Sequence, residues 1–206
     1  VFRTDRGGDF LAEHYRLGLA YVHHNLGPGL HTDEGNYAVL YEHNRSEYNS
    51  QSGIQHEIGY DAVIRYNYLR GNGTSRPYPH WVDGAGILVS TSWNVQVYGN
   101  TLEHNWQGIQ ALDQPRGSGR YGPYSLSNLM VHDNLIDSSV GLGTGSGRSG
   151  VAGSDPATWS SKNNSFYANT YRLGPYQDYF TWIGDEFTEH EWRAYFGQDQ
   201  TGTFSR

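Results

Sequence analysis

The sequence predicts an all-β chain wound as a solenoid of short strands, and three observations carry that expectation. The 206 residues include 27 Gly, 17 Tyr, seven Phe and six Trp, while charged residues make up only 17% and Met occurs once. Such a composition suits short strands and turns rather than a helical bundle. Six short segments, AYVHHN (20–25), VLYEHN (39–44), AVIRYN (62–67), VQVYGN (95–100), LMVHDN (129–134) and NSFYAN (164–169), each close on an Asn. The third observation is their recurrence: Asn44 to Asn67 is 23 residues and Gly29 to Gly53 is 24, with later steps of 33, 34 and 35. A period of about 20–25 residues without a helical pattern reads as a β-solenoid.

Within most segments the positions five and three before the Asn are apolar, as in Val39/Tyr41, Ala62/Ile64, Val95/Val97 and Leu129/Val131. That alternation predicts strands with one buried face. The Asn residues are read as a ladder in which each side chain bonds the next coil where the chain turns. A second strand follows each Asn after a Gly-containing turn: GPGLHTD (27–33), SGIQHE (52–57), AGILVS (85–90), QGIQAL (107–112) and VGLGTG (140–145). The longer steps place polar Gly/Pro-rich insertions at 74–81, 114–127 and 143–162. GTGSGRSG (143–150) is glycine-rich but lacks the Lys-Ser/Thr ending of a phosphate loop, so it is read as a loop. At the C-terminus, Thr188-x-x-Glu191 forms a capping box, and Trp192, Tyr195 and Phe196 fall at helical spacing. A short helix there would cover the open end of the stack, because exposed strand edges invite aggregation. The chain is read as one domain, with coils at about 19–183 and a cap at about 184–206. No matching N-terminal cap is visible, which suggests missing coils, a cap built from residues 1–18, or end-to-end self-association.

The formal charge of −7 and a pI near 5.7 leave no basic face, which disfavours nucleic acid as a partner. There is no run of 18 apolar residues and no secretory leader pattern, so the expectation is a soluble chain, processed or a fragment, without a membrane partner. The absence of Cys excludes disulfides and thiol chemistry. Three N-x-S/T sequons are no more than an Asn-rich chain gives by chance.

Stacking turns sequence spacing into distance, since equivalent residues on adjacent coils lie roughly 4.8 Å apart. Aligning Gly29-Leu30-His31-Thr32-Asp33 with Gly53-Ile54-Gln55-His56-Glu57 sets Asp33 beside Glu57, both outward at a strand end. Ser90 and Leu112 occupy that position on later coils, so the acids are confined to two. A separation of this size matches the about 5–5.5 Å of retaining glycosidases, and mutual repulsion would raise one pKa while leaving the other group ionised. Two solvated acids at a turn, or a Ca2+ site, remain open as alternatives. No metal signature of closely spaced His or Cys is present. His31 and Gln55 flank the acids as substrate contacts, whereas His56 falls inward as a core imidazole. Glu42 and Arg65 share a column with His23, Tyr98 and His132 and read either as an exposed ion pair or as part of a sugar-binding groove. Tyr78, His80 and Trp81 in the first insertion could stack on a sugar ring.

The pattern GPGLHTD, YEHN, GIQHEI, AVIRYN, GAGILV, together with the ending EWRAYFGQD (191–199), resembles right-handed parallel β-helix proteins of the pectate-lyase-like superfamily over residues 19–183. The Asp after a Gly-Leu strand and the Glu one coil later resemble the catalytic pair of β-helical glycoside hydrolases of the β-xylosidase type. That resemblance implies Asp33 as nucleophile, Glu57 as general acid/base, a polysaccharide or oligosaccharide partner and a secreted location. It equally admits a non-catalytic carbohydrate-binding or self-assembling β-helix. It also admits a polysaccharide lyase, which would use Lys or Arg as base with Ca2+; here the only Lys is Lys162, and Arg65 is the Arg on a strand face near the acids.

Overall fold

The computed structural model describes residues 15–75, 82, 84–139 and 147–206. Each coil contributes one strand to each of three parallel sheets. The first stacks Arg16–Gly18, Tyr37–Glu42, Tyr60–Arg65, Trp93–Tyr98, Met130–His132 and Ser165–Tyr167. The second stacks Tyr21–His23, Arg45–Glu47, Tyr68–Arg70, Thr101–Glu103, Leu135–Asp137, Thr170–Arg172 and Thr203–Ser205. The third stacks Leu30–Thr32, Ile54–Glu57, Ala85–Ser90, Gln107–Asp113, Ser149–Gly153 and Asp178–Trp182, and closes on the antiparallel strand Asp185–Thr188. The expected parallel β-helix is therefore the fold.

Register explains why the apolar alternation suffices. Tyr41, Ile64, Val97, Val131 and Phe166 lie directly over one another on the first sheet, and all are buried. Leu30, Ile54, Ile87 and Ile109 form the matching column on the third. Each such side chain contributes about 1.5–3 kcal/mol on leaving water, and like stacks on like, so one repeat pattern fills the whole bore.

The turn from the first sheet to the second carries the Asn ladder. Asn44, Asn67, Asn100, Asn134 and Asn169 are buried, and from Asn67 onward each Oδ1 accepts from the backbone N–H and the Nδ2 of the preceding coil's Asn, for example Asn67 to Asn100 at 3.0 and 2.9 Å. The turn needs a left-handed residue just before each Asn: His43, Tyr66, Gly99, Asp133 and Ala168 have φ of 55°, 54°, 63°, 52° and 54°. At Gly99 a Cβ would stand 2.6 Å from the half-exposed Tyr66 ring, so any other residue in that turn has to displace the ring.

One alignment is corrected by the register. Tyr21–His23 belongs to the second sheet, opposite Arg45–Glu47, and it is Ala20 whose N–H bonds Asn44. Asn25 instead starts a second ladder, Asn25, Asn49, Asn72 and Asn105, at the turn after the second sheet. AYVHHN and VLYEHN look alike because both turns place an Asn just after a left-handed residue. His23 accordingly faces Glu47 and is not in the column of Glu42 and Arg65.

The C-terminal cap begins as expected and then differs. Thr188 and Glu191 form the reciprocal capping box of the helix Glu189–Ala194, and Trp192 is buried against Phe166, Phe180 and Trp182. Tyr195 lies past the helix and is exposed, and Thr203–Ser205 adds a seventh strand to the second sheet. Asp199 terminates the ladder: Oδ1 accepts from Asn169 N and Nδ2, and Oδ2 from Tyr171 Oη and Trp192 Nε1. Asp199→Ala would take the acceptor from four buried donors, of which Asn169 Nδ2 keeps a second partner in Val131 O, and is expected to cost on the order of 3 kcal/mol in urea unfolding. An unchanged unfolding midpoint would contradict this account of the cap.

Two insertions are ordered rather than plain loops. In the last of them the third sheet's strand is Ser149–Gly153, inside the stretch expected as insertion, while the strand expected at 140–145 lies outside the described residues. Residues 114–127 form a small hairpin, Ser118–Gly119 against Gly122–Pro123, and the helix Ala157–Ser160 follows the strand of the last insertion. Both hang on buried Asp113, which accepts from Leu126 N, Thr158 Oγ1 and Lys162 Nζ at 2.9, 2.6 and 2.6 Å. Tyr78, His80 and Trp81 lie outside the described residues, as do residues 1–14, on which the question of an N-terminal cap turns.

Candidate active site

The third sheet pairs His31 with Gln55 and Thr32 with His56, so the chain brings Asp33 to the level of Glu57 one coil on. The Gly before each strand and the inward Leu30 and Ile54 fix this phase, and Ser90 is the next residue in the Glu57 column. One oxygen of Asp33, one of Glu57 and a ring nitrogen of His31 all lie within 4.8 Å of one another. The stacking expected from the sequence therefore brings four of its candidates together: Asp33, Glu57, His31 and Gln55.

The two carboxyls sit in unlike surroundings. Glu57 Oε1 accepts from His31 Nε2 at 2.8 Å and from Gln55 Nε2 at 2.9 Å. Burial alone would push the Glu57 pKa up, but the His31 hydrogen bond and charge, Gln55 and the nearby Arg116 together hold it below the usual range. Asp33 Oδ1 is buried without a hydrogen-bond partner. Burial, and then the charge of Glu57, raise the Asp33 pKa, with His31 opposing. Behind them His56 is fully buried, bonded through Nδ1 to Thr32 Oγ1 at 2.9 Å, and desolvation lowers its pKa to about 4. It is the neutral core imidazole that its inward position implies.

Beyond Gln55 the outward column continues as Leu88 and Gln110, both buried, and Leu88 packs with Val82, Ala85, Leu112 and Ala152 in a second apolar cluster. The 114–127 hairpin also comes near the pair, anchored by Tyr60 Oη donating to Gly122 O at 2.8 Å and by the Tyr37–Tyr121 stack at 4.6 Å. Tyr124, its hydroxyl pushed to about 12 by burial and by Tyr60, packs beside Gly35, two residues past Asp33. Tyr124 and Arg116 were not foreseen as neighbours of the site, because no spacing in the sequence says where an insertion folds back.

Glu42 and Arg65 lie on the first sheet, away from the carboxylates. Arg65 donates to Glu42 through Nε at 3.0 Å and Nη2 at 2.7 Å and to Tyr98 Oη at 3.0 Å, and Arg16 Nε adds a 2.7 Å contact. The Arg65 hydrogen bond holds the Glu42 carboxyl below its ordinary pKa. Glu42 is buried beneath its arginines rather than part of an exposed pair. The same column continues as Tyr98, His132 and Tyr167, whose rings stack on one another at 5.0 and 4.7 Å with 8° between planes. Stacking covers ring faces within this column, while Arg65 and Tyr98 also line a groove on the first sheet together with Val63, Gln96 and Met130.

The unlike carboxyls predict opposite effects on stability. A raised Asp33 pKa means that the fold disfavours its ionised form, a penalty that grows as pH rises through its titration and is fully present above the folded pKa. Asp33→Asn is thus expected to raise the neutral-pH melting temperature by a few degrees, the gain vanishing in acid. Glu57, with its lowered pKa, contributes stability above its unfolded value and loses it as pH falls through the folded one, so Glu57→Gln should lower the melting temperature at neutral pH. Melting curves at neutral and acid pH check both signs, and equal shifts in the two variants would refute the asymmetry.

The fold and the site together define a parallel β-helix carrying a close carboxylate pair at one end of its third sheet. The model of the right handed beta helix region matches residues 21–178, and the chain belongs to that family. No curated protein and no solved structure matches the chain. No helix among the described residues is long and apolar enough to cross a membrane.

Proposed function

We propose that this is a carbohydrate-active β-helix that hydrolyses glycosidic bonds at Asp33 and Glu57 with retention of configuration. The observation that carries the reading is that one oxygen of each carboxyl lies within 4.8 Å of one of the other, which favours the about 5–5.5 Å carboxyl separation of retaining glycosidases over the about 6.5–9.5 Å of inverting ones. The environments push the two groups apart in the sense such a pair needs, Glu57 toward the ionised form and Asp33 toward the protonated one. Neighbouring His31, Gln55, Tyr124 and Arg116 offer donors for sugar hydroxyls. A lyase fits less well, since Lys162 is held by Asp113 and Asp155 at 2.6 and 2.8 Å, away from the pair, and Arg65 is committed to Glu42. The family is compatible with this class of ligand, and the specific sugar is set by the loops.

The test is hydrolysis of a panel of aryl glycosides and polysaccharides, with and without chelator, by the wild-type chain and by Asp33→Asn. Turnover that resists chelation and collapses in the variant supports the proposal. Turnover unaffected by the substitution contradicts it, as do unsaturated, ultraviolet-absorbing products that require Ca2+. Glycan binding without turnover points instead to a binding module.

A further inference from the structure

The two acids carry different hydrogen-bond shells, and the difference assigns their roles. Resting on the hydrolase reading above, we propose that Glu57 is the nucleophile and Asp33 the general acid/base, the reverse of the division that the family resemblance implies.

The geometry is as follows. Both donors to Glu57, His31 Nε2 and Gln55 Nε2, converge on Oε1. They fix the carboxylate in one rotamer and favour its charged form, since hydrogen bonds donated to a carboxylate stabilise the anion. Oε2 is left for attack. A nucleophile requires this arrangement: ionised, oriented and with one oxygen unencumbered. Asp33 has the opposite endowment. Its Oδ1 is shielded from water and accepts no hydrogen bond, and an anion there would face the Glu57 charge with only the Glu34 backbone N–H and the more distant His31 to oppose it. The neutral acid removes that conflict, and a general acid must begin the reaction protonated.

In the first step Glu57 Oε2 forms a bond to the anomeric carbon as the glycosidic C–O bond breaks, and the departing oxygen takes the Asp33 proton. The products of that step are a glycosyl ester on Glu57, a free alcohol and an ionised Asp33. In the second step Asp33 takes a proton from water, whose oxygen attacks the anomeric carbon and releases Glu57 as carboxylate. Both residues return to their starting charge. His31 and Gln55 act here as positioning residues, because they touch Glu57 and hold Oε1 while Oε2 reacts.

The experiment is azide rescue on an aryl glycoside with a good leaving group. Glu57→Gly and Asp33→Gly are each expected to lose roughly a hundred- to ten-thousand-fold in turnover. Azide added to Glu57→Gly should restore turnover and yield a glycosyl azide of inverted configuration, because azide replaces the nucleophile. Azide added to Asp33→Gly should yield the azide of retained configuration by intercepting the ester on Glu57. The exchanged outcome, retention with Glu57→Gly and inversion with Asp33→Gly, would overturn the assignment while leaving the hydrolase reading intact. A wild-type chain inert on every glycoside would overturn both. Because a glycine at either position could weaken the fold, a second measurement uses the unaltered chain: a fluorinated glycosyl inhibitor that traps the ester, followed by peptide mapping. The label belongs on Glu57 if the proposal holds, and a label on Asp33 overturns it.

Discussion

Asn100→Ala is expected to lower stability by about 4 kcal/mol, among the largest single-site losses in the chain. The side chain holds two coils at once. Its Oδ1 accepts from Asn67 N and Nδ2 at 3.0 and 2.9 Å, and its Nδ2 donates to Ile64 O, Tyr98 O and Asn134 Oδ1 at 2.9, 3.1 and 2.9 Å. Alanine would leave two donors and three acceptors short of partners in the interior, and an unsatisfied buried group costs roughly 1–3 kcal/mol. The acceptors have other bonds and the coil can relax, so the sum is discounted to about 4 kcal/mol. For a chain of this size that corresponds to a fall of about 10 °C in melting temperature. Asn105→Ala, at the last rung of the shorter ladder, removes fewer bonds in a part-buried setting and should cost less. Urea unfolding of the two variants checks the order, and a loss below about 1 kcal/mol at Asn100 would show that the ladder decorates the fold rather than holding it.

Glu57→Gln is expected to abolish turnover while leaving the β-helix folded. Glutamine keeps the shape of the side chain but removes the charge that His31 and Gln55 are placed to hold, and an amide neither attacks the anomeric carbon nor forms the ester. A loss of at least about a thousand-fold follows if covalent catalysis runs through this residue. The Glu57 column continues as the uncharged, buried Ser90 and Leu112, so the coil tolerates a neutral group there, and the far-ultraviolet circular dichroism should be unchanged. The pH dependence of wild-type turnover follows from the same electrostatics. Activity needs Glu57 ionised and Asp33 protonated, so it rises with pH through the lowered Glu57 pKa and falls through the raised Asp33 pKa. The rate profile is therefore a bell between the two titrations. A profile that climbs steadily into alkali would contradict it.

Much of this was legible in the sequence because a solenoid maps periodicity directly onto distance. The Gly29/Gly53 alignment placed Asp33 over Glu57, and the apolar columns and the inward His56 followed from the same register. The first Asn ladder was legible for the same reason. The second ladder was not read, although Asn49, Asn72 and Asn105 each follow a rung of the first by five residues; that constant offset was the available signal. Its omission drew Asn25 and His23 into the wrong column. What spacing could not give was the course of the insertions. Tyr124 and Arg116 reach the site through a hairpin whose position depends on tertiary contacts with Tyr37 and Tyr60, and Lys162 is located only by the Asp113 cluster. Hydrogen-bond asymmetry between the acids likewise depends on which rotamers His31 and Gln55 adopt, which no pattern of residue types encodes.

The central claim is that the carboxylate pair performs hydrolysis by double displacement, and the stereochemistry of the product tests it most directly. Proton NMR of the first sugar released from a cleaved aryl glycoside, recorded before mutarotation, should show the anomeric configuration of the substrate. The opposite anomer as the first product would contradict a pair within 4.8 Å acting through a covalent ester.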